Sequence, residues 1–307
     1  MKTTTQRTRQ WTRGPKPPWP IEVDLHLHTT CSDGVLTPTE LVERLATTSL
    51  KIVAITDHDS TDGIDETLEC AASISDIKII PGIELGTEEG ISDVHVLGYF
   101  IDYNDRELQI TLKSFREDRV VAARCTVEKL ATLGIDVSWR RVQELANGAV
   151  GRPHIARAMV ERGYVEDVPE AFDRYLGSNG VANIPRKKLS PSDGLEIIHR
   201  AGGVGVVAHP RTVQRLGTMV KKMAGDGLAG IEVYAEKYGD RERSRYMSLA
   251  NRFDLVKCGG SDYHAFGTDN EVIPGSSGPP EDTPRLLLEK ARLRHGERVG
   301  FVPKGLE

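Results

Sequence analysis

The sequence predicts an α/β fold with enough strand–helix units to close a barrel, interrupted by an all-helical insertion. Three observations lead there. Short strand-like runs alternate with amphipathic helical stretches, the pattern of a parallel sheet with helices outside. That alternation stops at residue 101 and resumes at residue 190. Polar clusters rich in His and Asp recur at the ends of the strand-like runs, where barrels and open parallel sheets gather functional side chains.

Residues 1–20 hold Thr, Arg, Pro and Trp without periodicity. The stretch Gly14-Pro15-Lys16-Pro17-Pro18-Trp19-Pro20 can form neither a helix nor a central strand. A flexible, dispensable leader ending in an extended arm is expected. Val23–His28 then alternates like a strand. A helix is expected over Pro38–Thr48, with Thr37 as its N-cap, Pro38 in the first turn and Glu40 completing a capping box. A strand over Ile52–Thr56, a short helix over 62–73 and strands over Lys78–Leu85 and Asp93–Phe100 complete the first half.

From 102 to 189 no convincing strand occurs. One long helical pattern runs from Asp105 to about Leu133, with Leu108, Leu112, Phe115, Arg119, Ala122 and Val127 loosely spaced by three and four. Gly134 stops it. A second helix starts at Ser138 and ends at Asn147-Gly148, a third opens at Pro153 and closes at Gly163, and a fourth covers Val168–Leu176. The α/β rhythm returns with a helix capped by Ser190-Pro191. Strands follow over Gly203–His209, Gly230–Tyr234 and Leu255–Gly259, with helices over 212–224, 239–252 and Pro284–His295. The expected organisation is a leader (1–20), a discontinuous barrel (21–101 and 190–300) and a helical insertion (102–189).

Composition bounds the function. The 307 residues are 38% hydrophobic and 28% charged, which excludes a disordered tail. Apolar runs such as Gly203–Ala208 fall far short of the ~20 residues that span a bilayer. No apolar core follows the five positive charges of residues 1–20, so no signal peptide and no membrane association are expected. Cys31, Cys70, Cys125 and Cys258 lack CxxC spacing, which reads as a reduced, cytoplasmic chain. The net charge of −5 divides into +5 for residues 1–20, +2 for residues 101–189 and −12 for the rest. A body that holds cations and an appendage that meets an anion would give these sums, and so would ordinary surface variation.

The chemistry lies in the strand-end motifs: Asp24-Leu25-His26-Leu27-His28 with Asp33 beyond it, Thr56-Asp57-His58-Asp59, Gly82-Ile83-Glu84, Asp93-Val94-His95, Ala208-His209-Pro210 and Gly260-Ser261-Asp262-Tyr263-His264. His26 and His28 stand two apart, on one face of a strand, and Asp262 and His264 repeat the spacing. A lone histidine at a strand end is ordinarily a satisfied core or surface residue. Six of the nine histidines gathered at such termini are a different matter. Together six imidazoles and three carboxylates exceed what one cation needs, so two or three ions are expected. The mixed N/O set without thiolate suits Mn²⁺, Fe²⁺ or Zn²⁺. His199 and His295 lie in helices and are expected to be structural or exposed.

These motifs, with Ser32-Asp33-Gly34 and His95-Val96-Leu97-Gly98-Tyr99, resemble the polymerase-and-histidinol-phosphatase (PHP) phosphoesterase family from residue 21 to about 300. The resemblance implies a distorted (β/α)7 barrel with a trinuclear metal centre. It implies that His26, His28, Asp33, His58, Glu84, His95, His209, Asp262 and His264 are the ligands. Within the family, the insertion with Gly151-Arg152-Pro153-His154 resembles nucleoside 3′,5′-bisphosphate phosphatases, a subgroup that includes an enzyme trimming RNA 5′ ends.

The insertion has its own logic. Gly151-Arg152-Pro153-His154 places Arg and His at a helix start, where free N–H groups favour an anion. Arg152 adds a fork that suits phosphate. A local salt bridge is the competing reading. Arg186-Lys187-Lys188 reads as a solvated face. Asp57 and Asp59 are expected to orient His58 or nearby ligands, or to accept protons; for Asp59 a helix N-cap is an equal alternative.

The expected activity is hydrolysis of a nucleotide phosphomonoester by hydroxide held between cations. Asp57 and Arg152 would assist the reaction, and Arg152 and His154 would bind substrate. The substrate expected is a nucleoside 3′,5′-bisphosphate, extending to the 5′ ends of short RNA or DNA, with no obligate protein partner. Histidinol phosphate is one alternative. A non-catalytic, polymerase-associated metal module is another.

Overall fold

The computed structural model describes residues 17–306 except 91, 147–149, 178–179, 185–188 and 268–270, and the backbone alone at 212. The expected stop at Asn147-Gly148 and the run Arg186-Lys187-Lys188 lie outside the described residues. Among these, seven strands form one sheet in chain order. They are β1 (Val23–Leu27), β2 (Ile52–Ile55), β3 (Lys78–Glu89), β4 (Ser92–Tyr99), β5 (Val204–Ala208), β6 (Gly230–Tyr234) and β7 (Val256–Gly259). The sheet curls into a nearly closed barrel. The seam is drawn together beyond the end of β7, where the His28 N–H donates to the Tyr263 carbonyl and the Asp262 N–H to that of His26, both at 3.0 Å. Ten helices accompany it: α1 (Pro38–Leu45), α2 (Ile64–Ile74), α3 (Arg106–Thr132), α4 (Trp139–Ala146), α5 (Arg152–Glu161), α6 (Val168–Ala171), α7 (Pro191–Arg200), α8 (Leu216–Asp226), α9 (Asp240–Arg252) and α10 (Thr283–His295).

Local sequence sets several ends. Thr37 Oγ1 accepts from the Glu40 N–H at 3.2 Å, and Glu40 accepts in turn from the Thr37 N–H at 2.9 Å. This capping box starts α1, whose Leu41, Val42 and Leu45 are buried. The expected fourth insertion helix is α6 continued by a π-helical turn over Phe172–Leu176.

The expectation of a wholly parallel sheet is corrected at β4, which runs antiparallel to both β3 and β5. The reason is the connection. β3 runs four residues past the expected end at Leu85, and only two residues separate it from β4. So short a link cannot carry a crossover and permits only a hairpin, with Gly90 in the left-handed region at φ +64°.

That reversal changes how the insertion reaches the metal-ligand rim. The end of β4 lies at the opposite rim, where the Asp102 N–H donates to the Ala201 carbonyl at 2.7 Å. The 27 residues of α3 are ~40 Å long and climb back along the barrel. Leu108 and Leu112 pack into a barrel cluster with Leu85, Val94 and Leu195. Val127 and Leu130, higher on the same helix, belong to a separate core with Val142, Ile155, Met159 and Leu176. Trp19, expected in a mobile arm, lies edge-on to Tyr234 with ring centroids 5.2 Å apart.

Candidate metal centre and anion pocket

Glu84 is the middle of the site. It lies inside β3 rather than at its end, fully buried. One carboxylate oxygen meets His95 Nδ1 at 2.7 Å and His209 Nε2 at 2.9 Å. The other meets His26 Nε2 at 3.1 Å, His28 Nε2 at 3.2 Å and His58 Nδ1 at 3.3 Å. Asp262 Oδ1 stands 3.4 and 3.5 Å from His26 and His28 Nε2. Asp33 Oδ1 stands 3.2 Å from His264 Nε2 and 3.8 Å from His28 Nδ1.

All nine expected ligand positions therefore converge. Four overlapping groups have donor atoms within 4.8 Å of one another: His28, Asp33, His58 and His264; His26, His28 and Asp262; His26, Glu84 and His209; His58, Glu84 and His95. Two routes to this convergence differ from the sequence reading. His95 lies near the start of β4, and only the strand's reversal brings it to the rim where the parallel strands end. Asp262 and His264 follow β7 in a bent segment, with Asp262 at φ +54°, so their spacing is not that of a strand. His264 instead stacks on His28, with centroids 4.1 Å apart.

The donor set fits divalent cations. His28 Nδ1 and Nε2 and His58 Nδ1 are buried without a hydrogen-bond partner among the described residues. Such groups are costly to bury unless something satisfies them. Burial pushes His58 down to about 3 and lowers His95, so both rings present neutral lone pairs. Burial alone would raise the Glu84 carboxyl, but the His58, His26 and His95 imidazoles hold it well below the ordinary value. An anionic carboxylate ringed by imidazole nitrogens is a hard-to-borderline N/O shell.

A second carboxylate, missed by the sequence reading, orients the first ring. Glu232 is buried inside β6. It accepts from His26 Nδ1–H at 3.0 Å and from the His209 backbone N–H at 2.6 Å. The bond fixes the orientation of the His26 ring and turns its Nε2 toward Glu84. The available signal was an acid between Ile231 and Val233 in a run of buried strand residues. Asp57 bonds to the Thr29–Ser32 loop rather than to His58. Its oxygens accept from the Thr29 N–H at 2.7 Å, from Thr29 Oγ1 at 2.6 Å and from Ser32 Oγ, tying down the loop that carries Asp33. Burial pushes the Cys31 thiol up to about 11, which disfavours the thiolate.

Above this rim the insertion contributes cations. Asp59 does not cap α2, whose N-cap is Gly63. It accepts from Arg119 Nη2 at 2.6 Å, in a pair whose side chains are 15% and 3% exposed. Arg116 donates to the Asp59 carbonyl at 3.2 Å. Arg119, counted in the sequence as one position of an apolar stripe, is thus the latch between α3 and the rim. A charge inside that stripe was the missed signal. Arg152 donates to the Leu176 carbonyl at 3.1 Å and stands 3.5 Å from Asp93, two residues from His95 on the same face of β4. The local ion pair considered for it is present, and it lies at the rim.

His154 is fully buried at the start of α5. Its Nδ1 accepts from the Gly151 N–H at 3.0 Å, which places the proton of a neutral ring on Nε2. That atom is buried without a partner among the described residues. Burial lowers the ring to about 4, against the charge of Asp33, so it is neutral at physiological pH. Arg157 also feels Asp33. His154 and the guanidinium groups of Arg116, Arg119 and Arg157 thus face the Asp33–Asp59 corner of the rim, and Arg152 stands at Asp93.

Comparison with known proteins points to one family. The model described as the PHP domain matches residues 24–176. A 5′-3′ exoribonuclease of Haemophilus influenzae is 36% identical over 78% of this chain and 89% of its own length. A 3′,5′-nucleoside bisphosphate phosphatase of Chromobacterium violaceum is 32% identical over 86% of this chain and 93% of its own. A solved structure from Bifidobacterium adolescentis, described as a metal-dependent phosphoesterase, superposes with a TM-score of 0.81 at 31% identity, covering 90% of this chain and 98% of that one.

Proposed function

The chain belongs to the PHP-domain family of metal-dependent phosphoesterases, and from that premise we propose that it hydrolyses a phosphomonoester of nucleoside 3′,5′-bisphosphates and also trims the 5′ ends of short RNA. The observation that carries this reading is the adjacency of two opposite sites. The N/O cluster around Glu84 suits cations, and the corner with Arg119, Arg152, Arg157 and His154 suits a second anion.

In this reading His26, His28, Asp33, His58, Glu84, His95, His209, Asp262 and His264 hold two to three ions of the Mn²⁺, Fe²⁺ or Zn²⁺ type. Such ions supply Lewis acidity toward phosphoryl oxygens and lower the pKa of water. The chain's own groups do the rest. Glu232 keeps the His26 ring in one orientation. Asp57 holds the Thr29–Asp33 loop in register. Arg152 exchanges its long contact with Asp93 for a bidentate grip on the phosphate that is not cleaved. His154 donates from Nε2 to a phosphate oxygen without needing to be charged. Among the described residues no helix is long and apolar enough to cross a membrane, and the four cysteines are free, which supports a reaction in the cytoplasm.

The test is a substrate panel with Mn²⁺. Nucleoside 3′,5′-bisphosphate and 5′-phosphorylated oligoribonucleotide should turn over, and histidinol phosphate should not. Turnover of histidinol phosphate alone, or of nothing, overturns the reading. Arg152→Ala should raise KM for the bisphosphate ~10-fold, the scale of one charge-assisted contact, while leaving p-nitrophenyl phosphate nearly unaffected.

A further inference from the structure

The face of the barrel built by α8 and α9 carries charge that the reaction above does not use. Arg215, Lys221, Arg245 and Arg252 line a cleft of about 480 Å³, together with Gly217 and Phe253. No Asp or Glu is among its lining residues. Among the described residues none of the four cations has a carboxylate partner. On a chain of net charge −5 such a concentration is not an average surface. Arg215 also sits in the left-handed region at φ +52°, at the head of α8 and without a side-chain cap. A bulky residue there costs of order 1 kcal/mol, and nothing in the fold's own packing requires an arginine to bear it.

The cleft is joined to the metal rim. Arg215 follows His209 by six residues, a span of at most ~20 Å. The loop between them is pinned to the start of β4, where the Gln214 N–H donates to Ser92 Oγ at 3.0 Å. The cations nearer the rim are already paired: Lys237 Nζ lies 4.0 Å from Asp262 Oδ2, and Arg211, which donates to the Lys237 carbonyl at 3.4 Å, meets Glu242 at 2.8 Å.

We propose that this cleft binds the phosphodiester backbone of a single-stranded RNA whose 5′ end lies at the metal centre. The inference rests on the reading above and extends it from mononucleotides to chains. Cations spread over two helices, away from the rim, suit a succession of phosphates better than one. A mononucleotide already finds its second-anion contacts at Arg119, Arg152 and His154.

Binding can be read without turnover. Fluorescence anisotropy with a 3′-labelled, 5′-phosphorylated RNA in EDTA should give an affinity for a 12-mer at least about tenfold above that for a trimer. The triple variant R215Q/K221Q/R245Q should lose most of that advantage. Its slope of log affinity against log salt should fall by about two, the ~0.7 per phosphate contact expected of single strands. Its thermal melt and its KM for a nucleoside bisphosphate should match those of the parent. The proposal is overturned if the parent shows no length dependence, if the triple variant keeps it, or if bisphosphate turnover suffers equally. Bisphosphate turnover without length-dependent binding sinks this inference alone. Length-dependent binding without turnover of either nucleotide substrate sinks the proposed reaction instead.

Discussion

At the barrel rim six imidazoles press against buried Asp33 and Glu84 and the partly exposed Asp262, whereas one layer above, the insertion presses guanidinium groups and one neutral imidazole toward the same corner. The rim is a shell of lone pairs and negative charge. The insertion is a shell of donors. Between them lies a place where cations below and an anion above would each be satisfied. The two regions also differ in how they are held. The ligands issue from short strands or the residues just past them, and neighbouring strands fix their spacing. The donors come from α3 and α5, where Arg119 meets Asp59 and Arg152 meets Asp93. The ligand cluster is thus held by the sheet, and the cationic layer above it by helix packing and ion pairs.

The sharpest way to break this comparison is at Glu84. Glu84→Gln keeps the volume but removes the charge that five imidazoles face. Metal content by elemental analysis and turnover should fall together, the latter by at least ~100-fold, since ions of this kind contribute several kcal/mol. A fully loaded, active variant would remove Glu84 from the centre of the site.

The next effect belongs to the latch. Arg119→Ala leaves the Asp59 carboxylate buried without its guanidinium, which should cost about 3 kcal/mol. Urea unfolding would measure it. In a double-mutant cycle with Asp59→Asn the coupling should exceed ~1 kcal/mol. Simple additivity would mean that the insertion is held by its apolar contacts and not by this pair.

Glu232→Gln probes orientation rather than ligation. The amide can still bond but no longer favours a proton on His26 Nδ1. Metal affinity, followed by competition with a chelator, should weaken ~10- to 100-fold, with secondary structure by circular dichroism unchanged. Unaltered affinity would reduce Glu232 to a packing role.

The same contrast explains what could be read from the sequence. His26 and His28 were legible because two residues on a strand share a face, and Thr37 and Glu40 because a capping box is a local pattern. Glu84 was legible as a residue but not as the hub, since its five imidazole partners come from four other segments. The direction of β4 was not legible from alternation, which is the same in parallel and antiparallel strands; the two-residue turn after Glu89 was the stronger clue. Arg119 was hidden in the opposite way. Helical spacing placed it on the buried face of α3, but only the fold supplies the Asp59 that lets a guanidinium be buried there.

The smallest effect tests whether the donor layer stays uncharged. An unfolded imidazole titrates near 6.5, and burial lowers His154 to about 4. The folded state therefore resists protonation that the unfolded chain accepts. The stability from the neutral ring is complete above pH 6.5 and is lost as pH falls from 6.5 through about 4. Between about pH 7 and pH 5.5 the loss should be on the order of 1 kcal/mol in urea unfolding. His154→Gln should flatten that slope, because an amide does not titrate. It also bears on the reaction. A ring that must be protonated to act would lose its contribution as pH rises through 6.5, whereas an Nε2–H fixed by the Gly151 N–H donates at any pH above about 4. The ratio of kcat/KM between the parent and His154→Gln should then stay constant from pH 6 to 8, and a ratio that collapses toward one above pH 6.5 would put a charged imidazole in the anion pocket after all.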